Sequence, residues 1–428
     1  MTAEINALNT VSSQAPLLYS ADPMDSPLLP RKYQRLSPDA EDDKLIQPFI
    51  TGSFRSTTTF KVDRLANVTL YPQLELTLSA IAPPTGAVAS WTQYIGFEII
   101  DNVIIRHGAE NCQVFPGHIL RLRHDALLRS DKNYAETVLV NEGRTNSQLY
   151  NDALTTLNLS TPLRACFWEY DITKGWLCKH FQDPLTVEVT YKSLPNVVNL
   201  WANQGSVGAW STGGALTPNA GTASATIVKQ ALRITYVSTT EAVEAVRSAM
   251  INSPPSGVIY PFHDIETAKT IILVGNGAVE SPVMVDIKPL KSPCVYLFLE
   301  IRNQSDLVTS WGMRYDNWVA LSTFEIESNQ TKLVCKQTHE NLIDVHWPRH
   351  LNGSNTVFTG APFYVWSFSR DPADSHNQWG AQYLGSLSTP TINIELNSAA
   401  SVPLQVDVTS NCFNTIQMYK QGAKKNFW

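Results

Sequence analysis

Two histidine-containing segments are the first candidates for metal chemistry. His346 and His350 stand four residues apart, and His339 is followed directly by Glu340. Two histidines four apart bind zinc when a helix brings them to one face, but Pro348 lies between them and disfavours that helix. The pair His339-Glu340 lacks the second histidine, at position 343, of the zinc-protease pattern. Neither segment predicts a metal site, and we interpret these histidines as surface or loop residues.

Other patterns of catalytic residue types are equally weak. Glu241 and Glu244 could act as an acid–base pair, but the solvated face of a helix has the same pattern and is far commoner. Gly275-Asn276-Gly277 is too short for a dinucleotide-binding loop and is typical of a hairpin turn. The sequence contains neither a GxSxG nucleophile elbow nor the GK[ST] end of a phosphate-binding loop. We predict no enzyme, no catalytic residue, no cofactor and no metal.

The composition indicates that much of the surface is covered. Charged residues make up 16% of the 428 residues, and aromatic residues make up 10%. The charged fraction is well below the roughly one quarter usual in soluble domains. Burial between subunits and a large aromatic core both explain this composition, and both interpretations remain open. The formal net charge of −6 argues against broad nucleic-acid binding, because phosphate neutralisation needs a basic face.

The cysteines and the first residues indicate the compartment. The cysteines form no CxxC pair, which favours reduced, buried thiols over a disulfide framework. Residues 1–10 contain no basic segment followed by an apolar core, so we expect no signal peptide. No apolar run is long enough to span a bilayer, and we expect a soluble protein made in a cytosol-like compartment. The cysteines are Cys112, Cys166, Cys178, Cys294, Cys335 and Cys412.

Alternation of apolar and polar residues predicts strands through most of the chain. Thr57–Val62 and Leu70–Leu78 alternate clearly, and Phe363–Phe368 has aromatic residues at almost every other position. Asp371-Pro372 ends this last strand, because proline cannot donate to a β-ladder. Many short strands with long polar connections and little helix predict an all-β sandwich or jelly roll. Further strands are predicted at Tyr94–Ile105, Thr186–Tyr191, Leu232–Val237, Thr270–Val274, Val283–Ile287, Val295–Ile301, Trp318–Ile326, Thr391–Leu396 and Leu404–Val408.

The distribution of proline and glycine divides the chain into three parts. Residues 1–48 contain six prolines and are predicted to be an N-terminal arm. Residues 49–250 are predicted to form a first β domain, and residues 258–428 a second one of similar length. The segment Ser253–Gly257, with two prolines and a glycine, marks the boundary between them.

Three segments within these parts depart from the strand pattern. Residues 202–226 consist almost entirely of small and polar residues and are predicted to be a surface loop of the first domain. Pro116–Leu128 and Glu241–Met250 have helical spacing of apolar residues and are predicted helices. The arm carries a basic patch at Arg31–Arg35 and an acidic one at Glu41–Asp43.

Four segments in a fixed order carry a resemblance to known proteins. Gly52-Ser53 precedes Lys61 and Arg64, and Trp91–Val103 contains an Ile-Gly pair before an apolar run that ends at a turn. The third segment is Tyr236-Val237, followed by Glu241 and Glu244. The fourth combines Phe363–Arg370, Asp371-Pro372, His376, Gln378, Gly385 and Ser388.

Taken in this order, the segments resemble the double jelly-roll major capsid proteins of large and medium double-stranded DNA viruses, the nucleocytoplasmic large DNA virus and adenovirus-like lineage. Each segment alone is only a strand and a turn, and the specificity lies in four of them over about residues 50–428. Family members often have an Ile-Gly-Gly type turn where this chain has His107–Glu110. This departure indicates a divergent member.

The resemblance implies two consecutive eight-stranded antiparallel jelly rolls and a structural role in the virion. It implies a homotrimer whose six lobes form a pseudo-hexagonal block that tiles an icosahedral capsid. Minor capsid or penton proteins would be further partners, with no sequence-specific nucleic acid. The N-terminal arm and the C-terminal Lys424–Trp428 are expected to face inward, where either could contact an internal membrane or a minor protein.

A carbohydrate-binding, lectin-like protein is the alternative from another class, because jelly rolls also serve that function. Its sugar-stacking platforms would be tryptophans. A minor capsid protein is an alternative within the structural class, although such proteins are often single rolls. A glycosidase on a β-sandwich has the least support. The candidate platforms are Trp210, Trp311, Trp366 and Trp379.

Overall fold

A computed structural model gives the fold and describes most, but not all, of the chain. Several predictions lie outside these ranges: most of the loop 202–226, the helix Glu241–Met250 apart from Ser248, and the hairpin turn Gly275–Gly277. The described residues are 40–64, 68–127, 140–141, 144, 146–164, 168, 175–202, 221–238, 248, 257–273, 282–303, 319–329, 331–346, 363–370, 380–397, 403–419 and 421–426.

The described residues between 40 and 238 form two four-stranded antiparallel sheets and a two-stranded ribbon. The strand order is β1-β10-β3-β7 in one sheet and β2-β8-β5-β6 in the other, and β4 pairs with β9. The strands are β1 Ala40–Ile46, β2 Thr57–Val62, β3 Val68–Leu78, β4 Ala87–Trp91, β5 Ile100–His107, β6 Glu110–Pro116, β7 Leu157–Pro162, β8 Leu185–Tyr191, β9 Val198–Ala202 and β10 Ile227–Ser238.

Short helices decorate this first group of sheets. They are α1 Ile95–Glu98, α2 Gly117–Leu127, α3 Asn146–Leu154 and a 3-10 turn at Leu194–Asn196. The helix predicted at Pro116–Leu128 is confirmed as α2. The strand predicted at Tyr94–Ile105 is wrong in its first part, because Tyr94 has a left-handed φ of 55° and α1 follows it.

The described residues between 257 and 426 form a second pair of sheets. One has the order β11-β19-β13-β16, with β17 beside β13 and β20 beside β19, and the other has the order β12-β18-β14-β15. The strands are β11 Val258–Ile272, β12 Val283–Asp286, β13 Pro293–Asn303, β14 Leu321–Ser328, β15 Thr331–Thr338, β16 Tyr364–Ser367, β17 Gln382–Tyr383, β18 Pro390–Leu396, β19 Leu404–Met418 and β20 Ala423–Asn426. A π-helix, Asn341–His346, follows β15.

The two groups of sheets have the same topology. Without β4 and β9 the first group has eight strands, and without β17 and β20 so has the second. When these eight are lettered B to I along the chain, one sheet has the order B-I-D-G and the other C-H-E-F, in both groups. Eight antiparallel strands that alternate between two sheets in this way form a jelly roll. The predicted fold class, two consecutive eight-stranded jelly rolls, is confirmed.

Side-chain alternation explains how the rolls form and where they meet. β8 alternates between buried and half-buried residues, as expected of a strand with one face on the core. β13, in contrast, is buried along nearly its whole length. Its Tyr296 and Phe298 pack on Ile119 and Leu122 of α2, so the second roll meets the first across this strand. The predicted strand Val295–Ile301 is therefore a junction strand.

The first strand begins earlier than the sequence indicates. Residues 40–46, which we placed in the N-terminal arm, form β1 and pair with β10 from Ala40↔Ser238 to Ile46↔Leu232. The strand was not predicted because its acidic residues obscure the apolar alternation. An edge strand can carry such charges on its solvent face. Asp43 accepts a hydrogen bond from the Thr235 hydroxyl at 2.6 Å.

Gly117 lets α2 begin directly after β6, and replacing it should be costly. A Cβ at Gly117 would overlap the carbonyl oxygen of Ile100, a backbone atom that cannot rotate away. We expect Gly117→Ala to lower the free energy of unfolding by about 1 to 3 kcal/mol, measured by denaturant titration. Gly86→Ala is the control, since its Cβ meets no atom within 4 Å and only the φ of +75° opposes it. An unchanged free energy of unfolding in Gly117→Ala would contradict the overlap argument.

Candidate functional site

His339 and His346, from the two segments that we considered for metal binding, pack against aromatic residues of the second roll. His339 shares a hydrogen bond of 2.8 Å between Nδ1 and the Tyr364 hydroxyl. The His346 ring stacks on Trp366 at 4.1 Å between centroids, and its Nε2 accepts a hydrogen bond from the Ser367 amide. His350 lies outside the described residues. Across the described ranges, no group of three His, Cys, Asp or Glu side chains is placed to hold a metal ion.

Of the remaining candidate residues, only Trp366 lies within the described ranges. Trp366 is half-buried, packs against the core of the second roll and lies 6.0 Å from Phe324. Its ring is engaged by His346, which removes it as a sugar-stacking platform. Glu241, Glu244, Trp210, Trp311 and Trp379 lie outside the described residues, as does the hairpin Gly275–Gly277. None of the helices described in the structure is both long and apolar enough to cross a membrane.

The principal polar feature of the structure is a buried charge cluster at the junction of the rolls. On the first roll, Glu98 of α1 lies 3.1 Å from Nζ of Lys192 and 3.9 Å from Nη1 of Arg121 on α2. The Arg121 guanidinium also lies over the Tyr94 ring at 3.5 Å. Glu98, Lys192 and Arg121 are all buried. Charges this deep are stable only when they are paired.

The second roll supplies the other half of this junction cluster. Nη2 of Arg302, on β13, lies 2.6 Å from Oε2 of Glu300 and 3.4 Å from Oδ2 of Asp407 on β19. Gln405 donates a hydrogen bond to the same Asp407 oxygen. Oε1 of Glu300 faces Nε2 of His118 on α2 at 4.0 Å, which connects the two rolls. The junction cluster is thus Glu98, His118, Arg121, Lys192, Glu300, Arg302 and Asp407.

Burial dominates the protonation of two members of the junction cluster. Burial raises the pKa of Glu300 to about 7, against the opposing effect of Arg302. Burial also holds the pKa of His118 well below its usual value, and the cations Arg302, Lys192 and Arg121 lower it further. His118 is therefore a neutral imidazole at neutral pH, whereas Glu300 is close to its midpoint.

Arg123, another buried arginine of α2, links this helix to the second roll. Nε of Arg123 donates to Oδ1 of Asn411 at 2.9 Å, and its Nη2 donates to the backbone carbonyl of His263 at 2.6 Å. Gln113 donates to the same carbonyl at 2.8 Å. Two donors from the first roll thus satisfy one buried carbonyl of β11 in the second.

The last described strand, β20, and the turn before it add contacts near the junction of the rolls. Lys425 of β20 forms an ion pair with Asp264 of β11 and lies 5.6 Å from the Phe262 ring centroid. In the turn before β20, the Gly422 amide donates to Asp183 of the first roll at 2.5 Å. Lys424 is exposed, whereas Lys425 of the predicted inward-facing tail is held within the second roll.

Burial makes most of the described cysteines unreactive. Cys112, Cys178, Cys294 and Cys412 are buried free thiols, as expected, but Cys335 is exposed. Desolvation raises the pKa of both Cys112 and Cys294 to about 12, so neither is a thiolate at neutral pH. The buried thiols therefore fill space in the core. Cys166 lies outside the described residues.

The junction cluster was not predicted, although the sequence of β13 carries one signal of it. Glu300 interrupts the apolar run Val295–Ile301 of β13, and Arg302 follows two positions later on the same face of the strand. A charged pair on one face of an otherwise apolar strand indicates burial against other charges. The other members, such as Glu98 and Lys192, stand alone in sequence, and only the fold brings them together.

The comparisons with known proteins give likeness in structure alone. No protein-family model matches the sequence, and no curated protein matches it. Solved structures do match over nearly the whole chain. The VP54 protein of PBCV-1 has a TM-score of 0.68 at 12% identity, with 92% of this chain and 98% of that chain covered.

Two other viral proteins give the same result. The major capsid protein of Faustovirus has a TM-score of 0.66 at 10% identity, covering 97% of this chain and 98% of that chain. The major capsid protein of mavirus has a TM-score of 0.52 at 10% identity, with 90% of each chain covered. Such low identities establish the fold, and the coverage includes both rolls. The chain therefore has the double jelly-roll fold that is found in viral major capsid proteins.

Proposed function

We propose that the protein is a major capsid protein, a structural subunit of a virion with no catalytic role. The observation that carries this proposal is the pair of rolls with identical strand order, joined by a buried junction. Two similar lobes fixed side by side form one rigid block, and three such blocks about an axis give six similar lobes. Likeness to the capsid proteins extends over both rolls.

The domain organisation is part of this proposal. We assign residues 49–250 to the first domain and 258–428 to the second, with β1 extending the first domain back to residue 40. The strands of each roll pair within that roll throughout the described ranges. The contacts across the junction involve α2, β6, β11, β13 and β20, as the hydrogen bonds and ion pairs above indicate.

Exposed apolar side chains on strands and connections support contacts between subunits. Contiguous apolar patches are typical of surfaces that become buried on association, and we propose that these side chains belong to such surfaces. We propose a homotrimer and then contacts between trimers. Contacts with minor capsid or penton proteins, or of the N-terminal arm with an internal membrane, complete the proposed partners. Among the described residues, the most exposed of these apolar side chains are Phe49 at 83%, Leu273 at 73%, Val228 at 62% and Met284 at 59%.

The oligomeric state tests the proposal directly. We expect light scattering of the native protein to give a mass close to three times the 47.5 kDa of the chain. Concentrated trimers should form closed shells or hexagonally packed sheets in electron micrographs. A stable monomer at all concentrations would contradict self-assembly, and binding to a glycan array by such a monomer would favour the lectin-like alternative.

A further inference from the structure

One oxygen of the junction cluster has no donor to satisfy it. Oε2 of Glu300 is held by Arg302, but Oε1 is buried and has no hydrogen-bond partner among the described residues. Nε2 of His118, on α2 of the opposite roll, lies 4.0 Å from this oxygen. A buried carboxylate oxygen without a donor is costly, whereas a protonated one becomes a donor itself.

The charges that face Glu300 come from every element packed on it. Arg302 on its own strand and Asp407 on β19 are the neighbours from the second roll. From the first roll, Arg121 lies on α2 and Glu98 on α1, and both act on Glu300 at longer range. Lys192, which pairs with Glu98, completes the set. With three cations and the carboxylates Glu98 and Asp407, the junction cluster tolerates either form of Glu300.

We propose that at mildly acidic pH Oε1 of Glu300 carries a proton directed at Nε2 of His118, and that this proton holds α2 of the first roll against β13 of the second. His118 is the suitable acceptor because its imidazole is kept neutral by burial and by the surrounding cations. Raising the pH removes the proton and leaves a bare carboxylate oxygen facing the imidazole. The inference concerns the folded chain and does not depend on the proposed capsid function.

The direction of the effect follows from proton linkage. The pKa of Glu300 is raised from 4.5 to about 7 in the folded chain. Between these two values the folded chain keeps a proton that the unfolded chain has released. The contribution of Glu300 to stability is therefore complete below pH 4.5 and is lost as the pH rises to about 7. His107, His118 and His124 have lowered pKa values and act in the opposite direction, so the wild type alone cannot reveal Glu300.

The variant Glu300→Gln isolates this proton, because glutamine resembles the protonated carboxyl and does not titrate. Native-state hydrogen exchange of peptides from α2 and β13 gives the opening constant of the junction in each protein. The ratio of wild-type to variant opening constants should rise about tenfold per pH unit from pH 5 to pH 7 and then level off. Peptides from β14 and β15, and the surface variant Glu325→Gln, should show no such change.

A flat or falling ratio of opening constants would contradict the proposal. If Glu300 is simply an ionised partner of Arg302, the variant loses that pair at every pH, and the ratio stays flat or falls between pH 5 and pH 7. Either outcome overturns the proposal. Should the variant fail to fold, infrared spectra of the wild-type protein with labelled glutamate provide a second test. A protonated-carboxyl band must be present at pH 6 and absent by pH 9, and its absence at pH 6 overturns the proposal.

Discussion

Replacing Arg123 with alanine should lower the free energy of unfolding by about 3 to 5 kcal/mol, because it empties a large buried site and removes the donor to two buried acceptors. The side chain is 1% exposed and satisfies both Oδ1 of Asn411 and the carbonyl of His263. Alanine leaves Asn411 Oδ1 without this donor and opens a cavity between α2 and the second roll. Denaturant titration measures the loss, provided that unfolding is reversible.

The matched control is Arg106→Ala on the surface of β5. Arg106 pairs with Glu188 at 3.1 Å, but its side chain is 36% exposed, so we expect a loss below about 1 kcal/mol. Arg123→Lys should recover only part of the stability, because an ammonium group cannot reproduce two donors in a planar fork. A loss in Arg123→Ala no larger than in Arg106→Ala would show that the junction does not depend on this arginine.

The sequence predicts the rolls well because their strands have one buried face. In β8 the residues on the core side are apolar and their neighbours are polar, and in β2 Phe60 and Val62 are buried on either side of exposed Lys61, so a period of two appears directly in the sequence. β1 fails this test, since only Ile46 among its described side chains is buried. It is held by pairing with β10, a long-range property that local patterns do not contain.

The junction could not be predicted from the sequence for a different reason. Glu98 and Lys192 are ninety-four positions apart and meet only when α1 and the end of β8 are brought together. Arg123 reaches Asn411 across a separation of 288 positions. A lone charged residue in an apolar context indicates burial, but its partner is fixed by tertiary structure. The histidines that did stand out by spacing, His339 and His346, are packing residues.

Acid should destabilise the protein, with His124 as a principal cause. This histidine of α2 is 1% exposed and lies 5.1 Å from the Phe97 ring. Burial, with Arg164 and Arg121 nearby, lowers its pKa from 6.5 to about 3. Below pH 6.5 the unfolded chain binds a proton that the folded chain refuses, so stability falls by about 1.4 kcal/mol per pH unit. At pH 5 this group alone should have cost about 2 kcal/mol relative to pH 7.

The variant His124→Gln separates this effect from the other buried histidines, because glutamine keeps a polar side chain but does not titrate. Between pH 7 and pH 5 its free energy of unfolding should fall by about 2 kcal/mol less than that of the wild type. The variant His339→Gln, at a half-buried position of the second roll, is the control for replacing an imidazole with an amide. Parallel pH profiles for His124→Gln and the wild type would show that the folded chain accepts a proton at this position. That result would require α2 to move away from Phe97 in acid, because a charged imidazole is disfavoured both by burial and by the nearby cations Arg121 and Arg164.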